Sequence, residues 1–220
     1  MSVLIKIVAW ILSVVFHPIW MLFYMLLLLL MINPHLFGLS SWDQNMGLIL
    51  LVLLTTVVIP MITTALMKPL GFISSLTQMA RKERIFPYIS TAIFYLWLFI
   101  NLYHNSDIPN AYSTFVLGVI FALFTSFFIN NFSKISIHTV GMGGLIGMLA
   151  LTKAFYSYDY FTPPWSEGII TLNQLIIAAI LIAGAVGTSR LLLRAHREDE
   201  IYGGYLVGFL AQILAYLIMT

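Results

Sequence analysis

The chain has 220 residues, of which 61% are hydrophobic and only 8% charged, with a mean hydropathy of +0.99. Water-soluble domains run at about 45–50% apolar and about 25% charged residues, so this composition excludes a soluble globular protein and makes lipid the solvent. A formal charge of +2 argues against a nucleic-acid partner, and the lack of cysteine excludes disulfides, thiolate metal sites and a cysteine nucleophile.

A helix needs about 20 apolar residues to cross about 30 Å of hydrocarbon. Such stretches lie at 3–33, 47–67, 86–104, 111–131, 139–156, 168–188 and 201–219. They predict an all-α, polytopic membrane helix bundle of six to seven spans with short loops, forming one domain over residues 1–220. The stretches are too long and too uniformly apolar for the alternating strands, about 10 residues each, of a membrane barrel.

The first stretch exceeds one straight span, and His17-Pro18 divides it, because proline kinks or restarts a helix. Residues 1–20 are expected to be a retained anchor and not a cleaved leader, with residues 1–16, carrying Lys6, along the interface. Turn-rich connections fall at Asn33-Pro34, at 38–43, at 105–109 and at 157–167. Residues 68–84, the longest polar-leaning connection, read as an interfacial helix followed by a basic turn. Gly141, Gly143 and Gly144 open the fifth span, where small residues allow close helix packing. Trp42, Tyr103, Tyr156, Tyr158, Tyr160 and Trp165 sit near span ends as interfacial anchors. His17, His35 and His104 lie at a kink or in connections, where local hydrogen bonding accounts for them.

Seven spans alternate the connections between two sides. Lys6, Lys68, Arg81, Lys82, Arg84, Lys134, Arg190, Arg194 and Arg197 then share the N-terminal side, while Asp43, Asp107, Asp159 and Glu167 share the other, with Lys153 its one nearby cation. Such a bias normally marks the cytoplasmic face. Three groups on that side hold more than cations. The first is Arg81-Lys82-Glu83-Arg84-Ile85-Phe86-Pro87, the second Lys134-Ile135-Ser136-Ile137-His138, and the third runs from Ser189-Arg190 through His196 to Glu200. An even number of spans separates each from the next, so all three meet one membrane face.

These residue types support phosphoryl chemistry. His196 and Glu200 are four positions apart, so on a helix they share a face, which lets the carboxylate orient one ring nitrogen and leave the other reactive. Arg190 offers a planar fork of donors for phosphate oxygens. Six residues on a helix put Arg190 and His196 on different faces, so the chain must turn within 191–195 for both to meet one ligand. His138 can protonate a leaving oxygen, with Ser136 a further donor. Arg84, Lys82 and Lys134 add positive charge against a transferring phosphoryl group.

The spacing Ser-Arg-x5-His-x3-acid in Ser189 to Glu200 resembles the third signature of the type 2 phosphatidic acid phosphatase superfamily. That group contains membrane lipid phosphatases and vanadium haloperoxidases. Ile135-Ser136-Ile137-His138 is similar to its second signature, Pro-Ser-Gly-His, and the basic turn ending in Arg84 to its first, Lys-x6-Arg-Pro. The resemblance covers roughly residues 68–219, after an N-terminal pair of anchor spans over residues 1–67. It implies metal-independent, cofactor-free hydrolysis of a phosphomonoester or diphosphate through a phosphohistidine. His196 would attack phosphorus, Glu200 would orient it, and His138 would protonate the leaving alcohol. Arg84, Ser136, Ser189 and Arg190 would hold phosphate oxygens.

The substrates implied are phospholipid or prenyl phosphates in the bilayer. The setting implied is a bacterial inner membrane, with a homo-oligomer or a larger membrane complex both compatible. The chain departs from the pattern at Thr77, where the family has lysine, at Ile135 and Ile137, and at Glu200, where aspartate is usual. Most bacterial members act on the outer face of that membrane, so the cations can be ligands and not topology signals, and the orientation stays open. Two rival readings stand beside this one. The first is a catalytically silent relative that binds lipid within a complex. The second is a membrane haem protein ligated by His138 and His196, which leaves Ser136, Arg190 and Glu200 without roles.

Overall fold

The computed structural model describes residues 3–76, 80 and 82–220. Arg81 of the first basic group and Thr77 lie outside the described residues. The fold is an all-α bundle, and seven of its helical segments are long and apolar enough to cross a membrane. The protein is therefore an integral membrane protein.

The first segment, Val3–Ile32, is broken in two as His17-Pro18 demands. Helix α1 (Val3–Val15) ends, a short 3₁₀ turn covers Pro18–Trp20, and α2 (Met21–Ile32) follows. Helix α1 packs along α8 (Leu172–Leu192). The second segment joins α3 (Met46–Leu53) to α4 (Ile59–Met67) through a π-helical stretch, Leu54–Val58. Pro60 has no N–H to close a helical bond, and the carbonyl of Thr56, four residues earlier, instead accepts the Tyr95 hydroxyl at 3.4 Å.

Next come α5 (Ile85–Tyr103), α6 (Asn110–Asn130), α7 (Ile137–Leu151, prolonged by a π-helical turn, Thr152–Tyr156), α8 and α9 (Glu198–Met219). The expected interfacial helix within 68–84 does not form among the described residues. Pro69 and Gly71 break the chain there, the glycine at φ +78. A two-residue antiparallel ladder, β1 (Tyr160–Phe161) with β2 (Ile170–Thr171), closes the long loop before α8. The all-helical reading did not foresee it.

The most extensive packing joins α7 to α9, and glycine makes it possible. On α9, Gly204 and Gly208 are spaced as in the small-xxx-small motif. A Cβ at Gly208 would fall on the Val140 carbonyl oxygen, and one at Gly204 on the Thr139 hydroxyl. Across the seam, a Cβ at Gly143 would strike the Tyr205 carbonyl. Inside lipid, apolar burial does not drive helices together, and such close van der Waals contact does. The core also draws on α2 and α6, where Met25, Leu26, Tyr112 and Phe115 are fully buried and the Tyr112 hydroxyl donates to the Leu22 carbonyl at 3.0 Å, and on Val52 of α3 and Leu98 of α5. The α7–α9 seam brings the start of α7 beside the start of α9, on the side where α8 ends.

Candidate functional site

The second and third sequence groups meet at that end of the bundle. The main-chain N–H of Ser136, the residue before α7, donates to the carbonyl oxygen of Glu200 in the first turn of α9 at 3.2 Å. Ser136 is fully buried at a helix-capping position, yet its hydroxyl makes no capping bond. Two residues on, His138 points its Nε2 at the carbonyl oxygen of Ser13 at 3.0 Å. A carbonyl only accepts, so Nε2 carries the hydrogen and Nδ1 the lone pair.

The required turn between Arg190 and His196 is present. Helix α8 ends at Leu192, and Arg194 takes a left-handed conformation at φ 52, which reverses the chain before α9 begins at Glu198. His196 lies just outside α9, so it meets Glu200 across the helix N-terminus and not along a shared helical face. The Nδ1 of His196 donates to the Glu200 Oε2 at 2.6 Å, with the two side chains 4% and 12% exposed. That bond fixes the tautomer, leaving the lone pair on Nε2. Burial holds the His196 imidazole below its ordinary value. The hydrogen bond and charge of Glu200 oppose this, and the positive charges of Arg190 and Arg84 add to it.

Arg190 is half-buried in the last turn of α8. Its Nη1 donates to the Ser13 Oγ at 3.1 Å, and Arg84, at the start of α5, lies within electrostatic range of it. Ser189 is buried beside it, donating to the Val186 carbonyl at 2.7 Å and lying 3.4 Å from the Ser13 Oγ. Ser136, Arg190, Ser189, His138, His196, Glu200 and Arg84 are thus gathered at one end of the bundle. Lys82 and Lys134 are exposed, and among the described residues neither bonds to this cluster. Three buried polar atoms in the cluster, Ser136 Oγ, His138 Nδ1 and Arg190 Nε, have no hydrogen-bond partner among the described residues. Buried polar groups are ordinarily satisfied, so these three atoms keep unfilled hydrogen-bonding capacity within the cluster.

Two members of the cluster escaped the sequence reading. Ser13 touches His138, Ser189 and Arg190, and the His17 ring stands edge-on to the His138 ring at a centroid distance of 5.0 Å. His17 also makes the local bond expected of it, its Nδ1 accepting from the Ile19 N–H at 3.3 Å. No spacing in the sequence ties either residue to a partner more than 100 positions away; the His17-Pro18 break was the one visible signal. Among the described residues, no group of three or more His, Asp or Glu side chains is placed to hold a metal ion.

An apolar groove of about 500 Å³ opens between α7, α8 and α9, lined among others by Gly143, Ala183, Gly184, Tyr205 and Leu206. It begins about 9 Å along the α8 axis from Arg190, by helical rise. No family model, curated protein or solved structure matches the chain.

Proposed function

We propose that the protein is a membrane lipid phosphatase of the type 2 phosphatidic acid phosphatase kind, acting on a phosphomonoester or diphosphate of a lipid. The observation that carries this reading is the His196–Glu200 bond, which leaves the Nε2 lone pair free among the charges of Arg190 and Arg84. In the first step that lone pair attacks phosphorus, a P–N bond forms and the P–O bond to the lipid breaks. The alkoxide takes a proton from Nδ1 of His138, which must first gain that proton because the resting ring carries its hydrogen on Nε2, held by Ser13. In the second step water attacks phosphorus, the P–N bond breaks, and His138 takes the water's proton back. Glu200 stabilises the imidazolium formed at His196 in both steps. Arg190, Ser136, Ser189 and Arg84 hold the phosphoryl oxygens, and exposed Lys82 and Lys134 attract the anionic headgroup.

In this reading the substrate's acyl or prenyl chain lies along the apolar groove between α7, α8 and α9. The proposed setting is a bacterial inner membrane. The test is orthovanadate-sensitive release of phosphate from phosphatidate, phosphatidylglycerol phosphate and prenyl diphosphate by the detergent-purified chain. Absence of release from all three, under conditions where a related enzyme turns over, rejects the activity.

A second reading, a catalytically silent lipid-binding relative, is favoured by one observation: Ser13 already occupies Nη1 of Arg190 and Nε2 of His138. It requires that His196→Ala leave the cellular role of the protein intact.

A further inference from the structure

We infer that Ser13 is a positioning residue of the anion site, holding Arg190 and His138 from a helix outside the three sequence groups. This rests on the reading of the cluster as a phosphoryl site. Helix α1 ends at the His17-Pro18 break. The last four carbonyls of a helix have no partner within it. Here the His17 N–H turns to the Val14 carbonyl at 3.3 Å, three residues back, and so leaves the Ser13 carbonyl free. That carbonyl accepts Nε2–H of His138 at 3.0 Å, which fixes the ring and leaves Nδ1 without a partner among the described residues. The Ser13 side chain acts separately. Its Oγ donates to the Ala9 carbonyl at 2.9 Å, which directs a lone pair at Nη1 of Arg190, 3.1 Å away.

Ser13 is 6% exposed, so this contact is sheltered from competing water. One end of the guanidinium is thereby fastened, and the unpartnered Nε beside it is left for a ligand oxygen. Without the hydroxyl, Arg190 has to be ordered by the ligand at the moment of binding, an entropic cost that weakens affinity. The His138 bond is made by the main chain and survives a side-chain substitution. The two contacts can therefore be separated by experiment.

The experiment uses the full chain in detergent, with inorganic phosphate and orthovanadate as probes of binding and phosphatidate as the turnover substrate. Ser13→Ala is expected to raise the phosphate dissociation constant and the KM about tenfold, the scale of one hydrogen bond to a charged group. Its kcat stays within about threefold, because the His138 contact belongs to the backbone. Ser13→Thr, which keeps a hydroxyl, restores binding, and exposed Thr188→Ala on the same end of α8 changes nothing. Phosphate binding by Ser13→Ala equal to wild type overturns the inference. So does an equal loss in Ser13→Ala and Ser13→Thr accompanied by a lower melting temperature, which assigns Ser13 to packing alone. A wild-type chain that binds phosphate without hydrolysing lipid removes the catalytic reading and leaves the binding comparison to decide. Failure of the wild type to bind either anion overturns both.

Discussion

The main-chain N–H of Ser136 donates to the carbonyl oxygen of Glu200 at 3.2 Å, so two groups 64 positions apart in the chain share one backbone hydrogen bond. The carbonyl belongs to the residue whose side chain bonds His196, and the N–H to the residue whose buried hydroxyl has no partner among the described residues. Any change that slides α7 along α9 moves both halves of the site at once. The glycine seam beneath that bond therefore controls the geometry of the chemistry above it.

Gly208→Ala should destabilise the protein by about 1–3 kcal/mol, the usual cost of overpacking. Its Cβ meets the Val140 carbonyl oxygen and the Gly144 main-chain nitrogen, neither of which is the yielding end of a side chain. Gly184→Ala is the matched control. Nothing lies within 4 Å of the Cβ it adds, and helical glycine is intrinsically unfavourable, so stability should hold or rise slightly. Thermal unfolding of the purified variants in detergent measures both. A Gly208→Ala protein as stable as wild type contradicts the seam.

The seven spans were legible because uniform hydropathy over about 20 residues is a signal that lipid imposes directly. Span parity was enough to bring Ser136, Arg190 and His196 to one end, and the helical angle between Arg190 and His196 demanded the reversal that Arg194 now supplies. Ser13 was not legible. Its contacts reach His138 and Arg190, 125 and 177 positions away, and they arise from a carbonyl exposed by a proline break, which leaves no residue-type pattern. The connection over 68–84 misled for a different reason. Its spacing suits an amphipathic helix, but Pro69 and Gly71 override periodicity locally.

The pH dependence of turnover should show an acid limb below 6.5, the ordinary imidazole value. The nucleophile needs an unprotonated Nε2, and burial of His196, aided by the charges of Arg190 and Arg84, disfavours the imidazolium before substrate arrives. Glu200→Gln removes the group that opposes this lowering, so the limb should move further down while kcat falls about 10²–10⁴-fold. The same sign applies to stability. An unfolded chain takes up the histidine proton at higher pH than the folded one, so this contribution is lost as pH falls from 6.5 toward the lowered folded value. A profile whose acid limb lies above 6.5 contradicts the burial of His196.

Arg190→Lys should weaken orthovanadate inhibition about 10–100-fold, the scale of losing one hydrogen bond to a charged oxygen. The substitution keeps the positive charge and loses the fork, so it separates charge from geometry. Nη1 on Ser13 and a free Nε are functions of a planar guanidinium that an ammonium cannot supply together. Inhibition equal to wild type would leave Arg190 as a general cation and place anion recognition elsewhere.

Arg194→Gly should stabilise the protein by about 0.5–1 kcal/mol. Arg194 holds φ 52, a conformation that costs an L-residue about 1–2 kcal/mol, while glycine adopts it freely and gives back part of the gain as chain entropy in the unfolded state. The side chain is exposed, so little packing is lost. The backbone at this point is what turns Arg190 and His196 toward one another. Arg194→Pro, unable to take a positive φ, should therefore abolish phosphate release and lower the melting temperature together. If Arg194→Pro retained full activity, the reversal would have no part in assembling the site.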